Sequence, residues 1–135
     1  MTESDKLRGC PLFAGFSDDA LRRVAELATE TEFPAGSVLA LPNDPGSGMF
    51  VIEEGQVVVE GHGGFHTELG PGEFVGELTL LVPNAHRVAR VRAATDVRVL
   101  AIRRDDFTAL LDDEPALAVA MLPTLARRLV DVMQP

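Results

Sequence analysis

The chain opens with a helical pattern. Leu21, Val24 and Leu27 recur at intervals of three residues and place their side chains on one face of a helix. Ser17 precedes them and can act as the N-cap, because its hydroxyl accepts a hydrogen bond from a free amide of the first turn. We therefore predict a helix that starts after Ser17 and ends near Glu30 to Glu32.

From Phe33 to Arg103 the pattern changes to short runs rich in β-branched residues, separated by glycine and proline. Glu54-Gly55 is predicted to join two of these runs as a tight hairpin. Many short strands with tight turns are typical of an antiparallel barrel or jelly roll. The candidate strands are Ser37–Leu41, Met49–Glu53, Gln56–Glu60, His66–Leu69, Val88–Ala94 and Val97–Arg103.

The end of the chain is helical again. We predict a short helix at Asp105–Asp112 and a longer one from Pro115 to about Met133. Pro123 lies inside the longer helix and is expected to kink or divide it. An apolar stripe along this helix can either pack on its own domain or pair with a second subunit. The stripe consists of Ala118, Leu122, Leu125, Leu129 and Val132.

The length of 135 residues indicates one domain, which we expect to span residues 1–135. Its β part would cover about residues 33–103 and its C-terminal helices about residues 104–133. No apolar run approaches the roughly 20 residues that cross a membrane, and the polar N-terminus does not resemble a signal peptide. We therefore expect no membrane contact. Cys10 is the one cysteine, which excludes an internal disulfide and fits a cytoplasmic location.

The formal net charge of −9 excludes non-specific binding to DNA or to an anionic membrane. The basic residues are nevertheless unevenly spread, since six of the twelve fall in one segment that holds a single acidic residue, Asp96. This local reversal of sign favours a small anionic ligand. The six are Arg87, Arg90, Arg92, Arg98, Arg103 and Arg104.

The segment from Gly70 to Ala93 contains the candidate chemistry. Gly76 permits an unusual backbone turn, and a one-turn helix over Glu77–Leu81 would aim unpaired amides at an anion. Arg87 follows after a short loop, and its planar guanidinium suits a phosphate or carboxylate. A carboxylate at Glu77 suits sugar hydroxyls. Together these groups favour a nucleotide-like ligand.

The same segment resembles the phosphate-binding cassette of the cyclic nucleotide-binding domain family. Gly-Glu-Leu-Thr-Leu-Leu at residues 76–81, followed by Arg-Val-Ala-Arg-Val at residues 87–91, matches the family pattern. Similar matches occur at the turn before the first strand (Phe33 to Gly36), in the paired-strand signature (Asp44 to Ile52, then Gly55) and after the cassette. The resemblance runs from about Leu12 to Leu129.

The resemblance implies a mainly β fold, an eight-stranded antiparallel β-roll of jelly-roll type with an N-terminal helix and C-terminal helices. It implies that Glu77 accepts from a ribose 2′-hydroxyl and that Arg87 pairs with a cyclic phosphate. Backbone amides would complete the pocket, and no cofactor besides the nucleotide is implied. The implied ligand-binding residues are Gly76, Glu77, Leu78, Thr79, Arg87, Val88 and Ala89.

Two positions depart from the family pattern. Val88 stands where the family usually has Ala, Ser or Thr, and a valine cannot donate a hydrogen bond, which disfavours cGMP relative to cAMP. Arg90 stands where some members have Thr, and it is either a second phosphate contact or a solvated strand charge. These departures leave open an alternative, a protein-interaction module that has kept the fold and lost the ligand.

Other readings have less support. The segment with His62 and His66 has neither the His-x-His pair nor the later carboxylate of cupin-type metal sites. We therefore expect no bound metal and no enzymatic activity. Since no helix-turn-helix follows Val132, we expect a stand-alone module that does not bind nucleic acid directly. By the resemblance, a hinge near Asp112–Pro115 would transmit ligand binding through the last helix to an unidentified protein partner, and that helix can also form a homodimer.

Overall fold

The computed structural model describes residues 7–40, 48–64, 66–76, 81 and 89–134. Contacts divide the chain into two compact units, residues 28–107 and residues 1–27 with 108–135. That residues 1–135 form a single domain remains a prediction. The described strands are β1 (Thr29–Phe33), β2 (Val38–Ala40), β3 (Gly48–Glu54), β4 (Val57–Glu60), β5 (His66–Leu69), β6 (Phe74–Val75), β7 (Arg90–Ala93) and β8 (Val97–Arg103). The helices are α1 (Asp18–Leu27), α2 (Arg104–Asp113) and α3 (Pro115–Met133).

The described strands form two antiparallel four-stranded sheets that are not closed into one barrel. The first has the order β1-β8-β3-β6 and the second has the order β2-β7-β4-β5. Along β7 of the second sheet the buried Val91 and Ala93 alternate with arginines, and along β8 of the first sheet the buried Val97 and Val99 flank the half-buried Arg98, so each of these strands has an apolar face. These faces supply a buried core cluster of Ile52, Val57, Leu69, Val75, Val91, Ala93, Val97 and Val99. The β-roll and its eight strands, implied by the resemblance, are confirmed.

Three connections between the sheets meet at one place, and we call them the crossing loops: residues 34–37, 55–56 and 94–96. The Ala35 amide donates to Asp96 Oδ1 at 2.8 Å, and the Gln56 amide donates to Thr95 Oγ1 at 3.0 Å. Gly55 has φ of +90°, and a Cβ there would lie 2.3 Å from the Asp96 carbonyl oxygen. Only glycine fits such a position, so this residue allows the loops to approach closely.

The other unit contains α1, most of α2, α3 and a 3-10 turn at Pro11–Phe13. Ser17 caps α1 as predicted, since the Ala20 amide donates to its hydroxyl at 3.2 Å. The Phe13 and Phe16 rings meet edge to face with centroids 5.3 Å apart. The largest buried side chains of this unit include Phe13, Leu21, Val24, Leu110, Leu117 and Met121.

The structure corrects three predictions about elements. The first helix ends at Leu27, not near Glu30 to Glu32, because Thr29–Phe33 pairs with β8 as a strand. The β part therefore begins before Phe33. Glu54-Gly55 does not close a hairpin, since β3 and β4 belong to different sheets. Pro123 does not divide the last helix, which runs unbroken through it.

The surface position of Pro123 accounts for the continuous helix. Pro123 has no amide to donate to the carbonyl of Val119, four residues earlier. Both residues lie on the exposed face of α3. Water can therefore hydrate the Val119 carbonyl, and the backbone tolerates the proline.

Candidate functional site

The cassette, residues 76–89, links the two sheets. Gly76 directly follows β6 at the edge of the first sheet, and Ala89 directly precedes β7 inside the second sheet. The structure thus places both described ends of the predicted site where a strand ends or begins. The remaining predicted site residues lie outside the described part of the chain, namely Glu77, Leu78, Thr79, Arg87 and Val88.

The entry to the cassette is tightly held. Val75 is buried and pairs with Phe50 of β3. The Ile52 amide donates to the Glu73 carbonyl at 2.9 Å, which ties the residues before β6 to the same strand. Gly76 then adopts φ of +98°, a backbone conformation that a residue with a Cβ rarely takes. The unusual turn predicted at Gly76 is confirmed.

The exit of the cassette is set by the alternation of β7. Val91 and Ala93 are buried in the core cluster, which places Arg90 and Arg92 on the opposite face of the sheet. Ala89 is half-buried and lies directly before Arg90, the first residue of β7. The start of β7 therefore sets the end of the cassette.

Arg90 and Arg92 both donate to the carboxylate of Glu60 on β4. Arg90 contacts Glu60 Oε1 through Nη2 at 2.9 Å and through Nε at 3.1 Å, and Arg92 Nε lies 3.3 Å from the same oxygen. The hydrogen bond from Arg90, with a smaller contribution from Arg92, lowers the pKa of Glu60 below its usual range. This cluster consists of strand charges paired with each other. The sequence analysis missed Glu60, because the β4–β7 register that brings it to Arg90 is not visible in the sequence.

A third arginine, Arg98 on β8, lies near three carboxylates. Its Nε lies 3.7 Å from Glu30 Oε1 and 4.0 Å from Glu53 Oε1, and its Nη2 pairs with Glu54. Arg98 alternates with the buried Val97 and Val99, so it lies on the face opposite the core cluster. Its charge is therefore more than balanced by these three carboxylates.

Several apolar residues of the β unit are only partly buried. Val59 of β4 pairs with Val91, the second residue of β7. Phe33, Leu39, Phe50 and Val59 pack against the core cluster. The Phe33 and Phe50 rings meet edge to face with centroids 6.3 Å apart.

In the part of the chain that the structure describes, no group of three or more His, Cys, Asp or Glu side chains is placed to hold a metal ion. His66 lies exposed on the edge strand β5. Among the described helices, none is long and apolar enough to cross a membrane.

Comparison with known proteins identifies the family. Residues 30–114 match the model of the cyclic nucleotide-binding domain. An uncharacterized NTE family protein of Mycobacterium tuberculosis is 32% identical over 126 residues, which cover 91% of this chain and 21% of that protein. The catabolite activator protein of Thermus thermophilus is 31% identical with a TM-score of 0.77, over 90% of this chain and 59% of that one. A structure from a cyclic-GMP-dependent signalling pathway that regulates bacterial phytopathogenesis is 32% identical, with a TM-score of 0.70, and 86% of this chain and 95% of that one are covered.

The chain therefore belongs to the cyclic nucleotide-binding domain family. It spans about a fifth of the length of the mycobacterial relative and 59% of the Thermus chain. The predicted family is confirmed, and the matched residues include the whole segment from Gly76 to Ala89.

Proposed function

We propose that this chain is a regulatory module that binds cAMP. The observation that supports this best is the position of the cassette, which begins at the left-handed Gly76 and ends at Ala89, directly before the first residue of β7. Relatives include the cyclic AMP receptor protein of Thermus thermophilus. Val88 has no hydroxyl to donate to a guanine, which favours cAMP over cGMP, although one similar structure comes from a cyclic-GMP-dependent pathway.

In this proposal Arg87 pairs with the cyclic phosphate and Glu77 accepts from the ribose 2′-hydroxyl. The amides of Gly76, Leu78, Thr79 and Ala89 would donate to the same phosphate and ribose, and Val88 would pack beside them. A guanidinium and several amides around one monoanion form charge-assisted hydrogen bonds, which are the strong ones. The chain's own residues thus supply the whole ligand set, with no metal or cofactor and no catalytic group.

Ligand binding would be transmitted through α2 and the residues that follow it. The predicted hinge, Asp112–Pro115, includes the only described residue between α2 and α3, Glu114. Arg23 Nη1 of α1 lies 2.5 Å from Asp113 Oδ2, so the end of α2 is tied within its own unit. Rotation of α3 at the hinge would change the surface offered to a protein partner. We place this module in the cytoplasm, where its single cysteine, Cys10, stays reduced.

A calorimetric titration with cAMP, cGMP and AMP tests the proposal. We expect cAMP to bind most tightly, cGMP less tightly and AMP weakly, because AMP carries an open phosphate with a different shape and charge. Binding of AMP as tight as that of cAMP would contradict a site built for a cyclic phosphate. Absence of heat and of thermal shift with all three would refute ligand binding.

The surface of α3 favours a second candidate function, a protein-interaction module. Leu122 is 62% exposed and Leu129 is 61% exposed, although both are large and apolar. Exposed apolar stripes on helices commonly mark association surfaces. We predict that Leu122→Glu with Leu129→Glu leaves the melting temperature within about 2 °C of the parent and abolishes self-association in sedimentation. If the parent chain is monomeric at every concentration, α3 does not form a homodimer, and this surface would bind a different protein.

A further inference from the structure

Glu60, at the end of β4, is not among the predicted site residues but lies in a dense group of charges. One oxygen of its carboxylate receives three N–H groups, two from Arg90 and one from Arg92. Both arginines belong to β7 and Glu60 belongs to β4, so a single atom joins two neighbouring strands. Charge-assisted hydrogen bonds of this kind are stronger than neutral ones.

The location of this contact matters for the cassette. Glu60 is the last residue of β4 and is the direct register partner of Arg90, the first residue of β7. Strand ends open most easily, since they lose the fewest contacts when they do so. The Glu60 contact therefore holds the pair of residues at which β7 would otherwise separate from the sheet. Ala89, the last cassette residue, is covalently attached to that pair.

The contact with Glu60 also bears on the roles of Arg90 and Arg92. Arg90 and Arg92 lie on the face opposite Val91 and the core cluster. With Glu60 they form a compact group in which one negative charge offsets part of two positive ones. This pairing favours the reading of Arg90 as a strand charge over its reading as a second phosphate contact.

We infer that Glu60 is a positioning residue for the nucleotide site: it fixes the start of β7 through Arg90 and so fixes the Ala89 amide. This inference rests on the proposed function, since Ala89 is assigned to the ligand there. Exposed pairs of this type contribute at most about fivefold to an equilibrium constant. We therefore expect Glu60→Gln to weaken cAMP binding by about two- to fivefold.

The test uses five variants of the full chain and two measurements. The variants are Glu60→Gln, Arg90→Gln, the double variant, the charge swap Glu60→Arg with Arg90→Glu, and the control Glu68→Gln. Glu68 is an exposed carboxylate on β5, the neighbouring strand of the same sheet. Calorimetry measures the affinity for cAMP, and hydrogen exchange measures the opening of the amides of residues 89–93 without ligand. Melting temperatures verify that each variant is folded.

We expect Glu60→Gln to weaken binding and to speed exchange at residues 89–93, while Glu68→Gln changes neither. The double variant should be no worse than Glu60→Gln, because Glu60→Gln already removes the contact that Arg90→Gln removes. The charge swap should restore part of the slow exchange and of the affinity, because it remakes the pair at positions 60 and 90 but places an arginine beside Arg92. A merely space-filling role would give no such rescue. Unchanged exchange and affinity in Glu60→Gln would overturn the inference. A parent that binds no nucleotide would refute the proposed function, and the exchange measurement would then decide the role of Glu60 by itself.

Discussion

Replacement of Gly55 by alanine tests how the crossing loops hold the two sheets. The new Cβ would lie 2.3 Å from the Asp96 carbonyl oxygen, 2.7 Å from Val97 Cγ1 and 2.9 Å from Thr95 Oγ1. A left-handed backbone costs a residue with a Cβ about 1 kcal/mol. Displacing a packed backbone costs about 1–3 kcal/mol more. The expected loss is therefore about 2–4 kcal/mol, or about 6–15 °C in melting temperature for a chain of this size.

Gly36 supplies the matched control. Its φ of +88° is nearly the same as that of Gly55, but no atom lies within 4 Å of the Cβ that alanine would add. Gly36→Ala should therefore cost only the backbone strain of about 1 kcal/mol. Urea and thermal denaturation of both variants measure the difference. If Gly55→Ala were no less stable than Gly36→Ala, the close approach of the crossing loops would be refuted.

Two further predictions concern stability. Ser17→Ala removes the cap of α1 and should cost about 1 kcal/mol in urea denaturation, whereas Ser17→Asp keeps an acceptor and should cost little; equal losses would contradict the cap. Because Arg90 and Arg92 lower the pKa of folded Glu60, its contribution to stability is complete above the unfolded pKa and is lost as the pH falls through the folded pKa. Urea denaturation at stepped acid pH should show this loss in the parent and not in Glu60→Gln, and identical profiles would argue against the pairing.

Local patterns predicted most elements of the fold. The Pro115 start and the apolar spacing of three and four residues predicted α3 close to its observed bounds, and short β-rich runs between glycine and proline predicted β5 and β8. The strand Thr29–Phe33 was missed because its residues are mostly polar and directly follow a helical pattern. Its pairing with β8, about 70 residues later, decides its conformation. Partners so distant in the chain are not visible in a local window.

The Glu54-Gly55 turn also shows that a local window does not reveal long-range strand pairing. Its glycine was recognised correctly as a turn residue, and its φ of +90° confirms that it turns the chain. The turn nevertheless passes from one sheet to the other, because β3 pairs with β8 and β4 pairs with β7. Turn chemistry specifies the local backbone, whereas the sheet to which the next strand belongs depends on long-range pairing.

The candidate site was predicted from spacing and resemblance. The structure describes its ends, with Gly76 directly after β6 and Ala89 directly before β7, whereas the predicted strand Val88–Ala94 had included Ala89. It adds Glu60, which sequence reasoning could not find, since an isolated glutamate at the end of a strand has no distinctive neighbours in sequence. The partner that makes Glu60 relevant, Arg90, lies 30 residues away and is reached only through the β4–β7 register.

The central claim is that Arg87 binds the phosphate of a cyclic nucleotide. Calorimetric titration of cAMP into the parent chain and into Arg87→Ala tests it most directly, with Arg103→Ala as a control because Arg103 is a highly exposed arginine on β8. Loss of a charge-assisted pair worth about 1.5–3 kcal/mol predicts a weakening of about 10- to 200-fold in Arg87→Ala. The control should bind as the parent does. Equal affinity of the parent and Arg87→Ala would show that the assigned site is wrong.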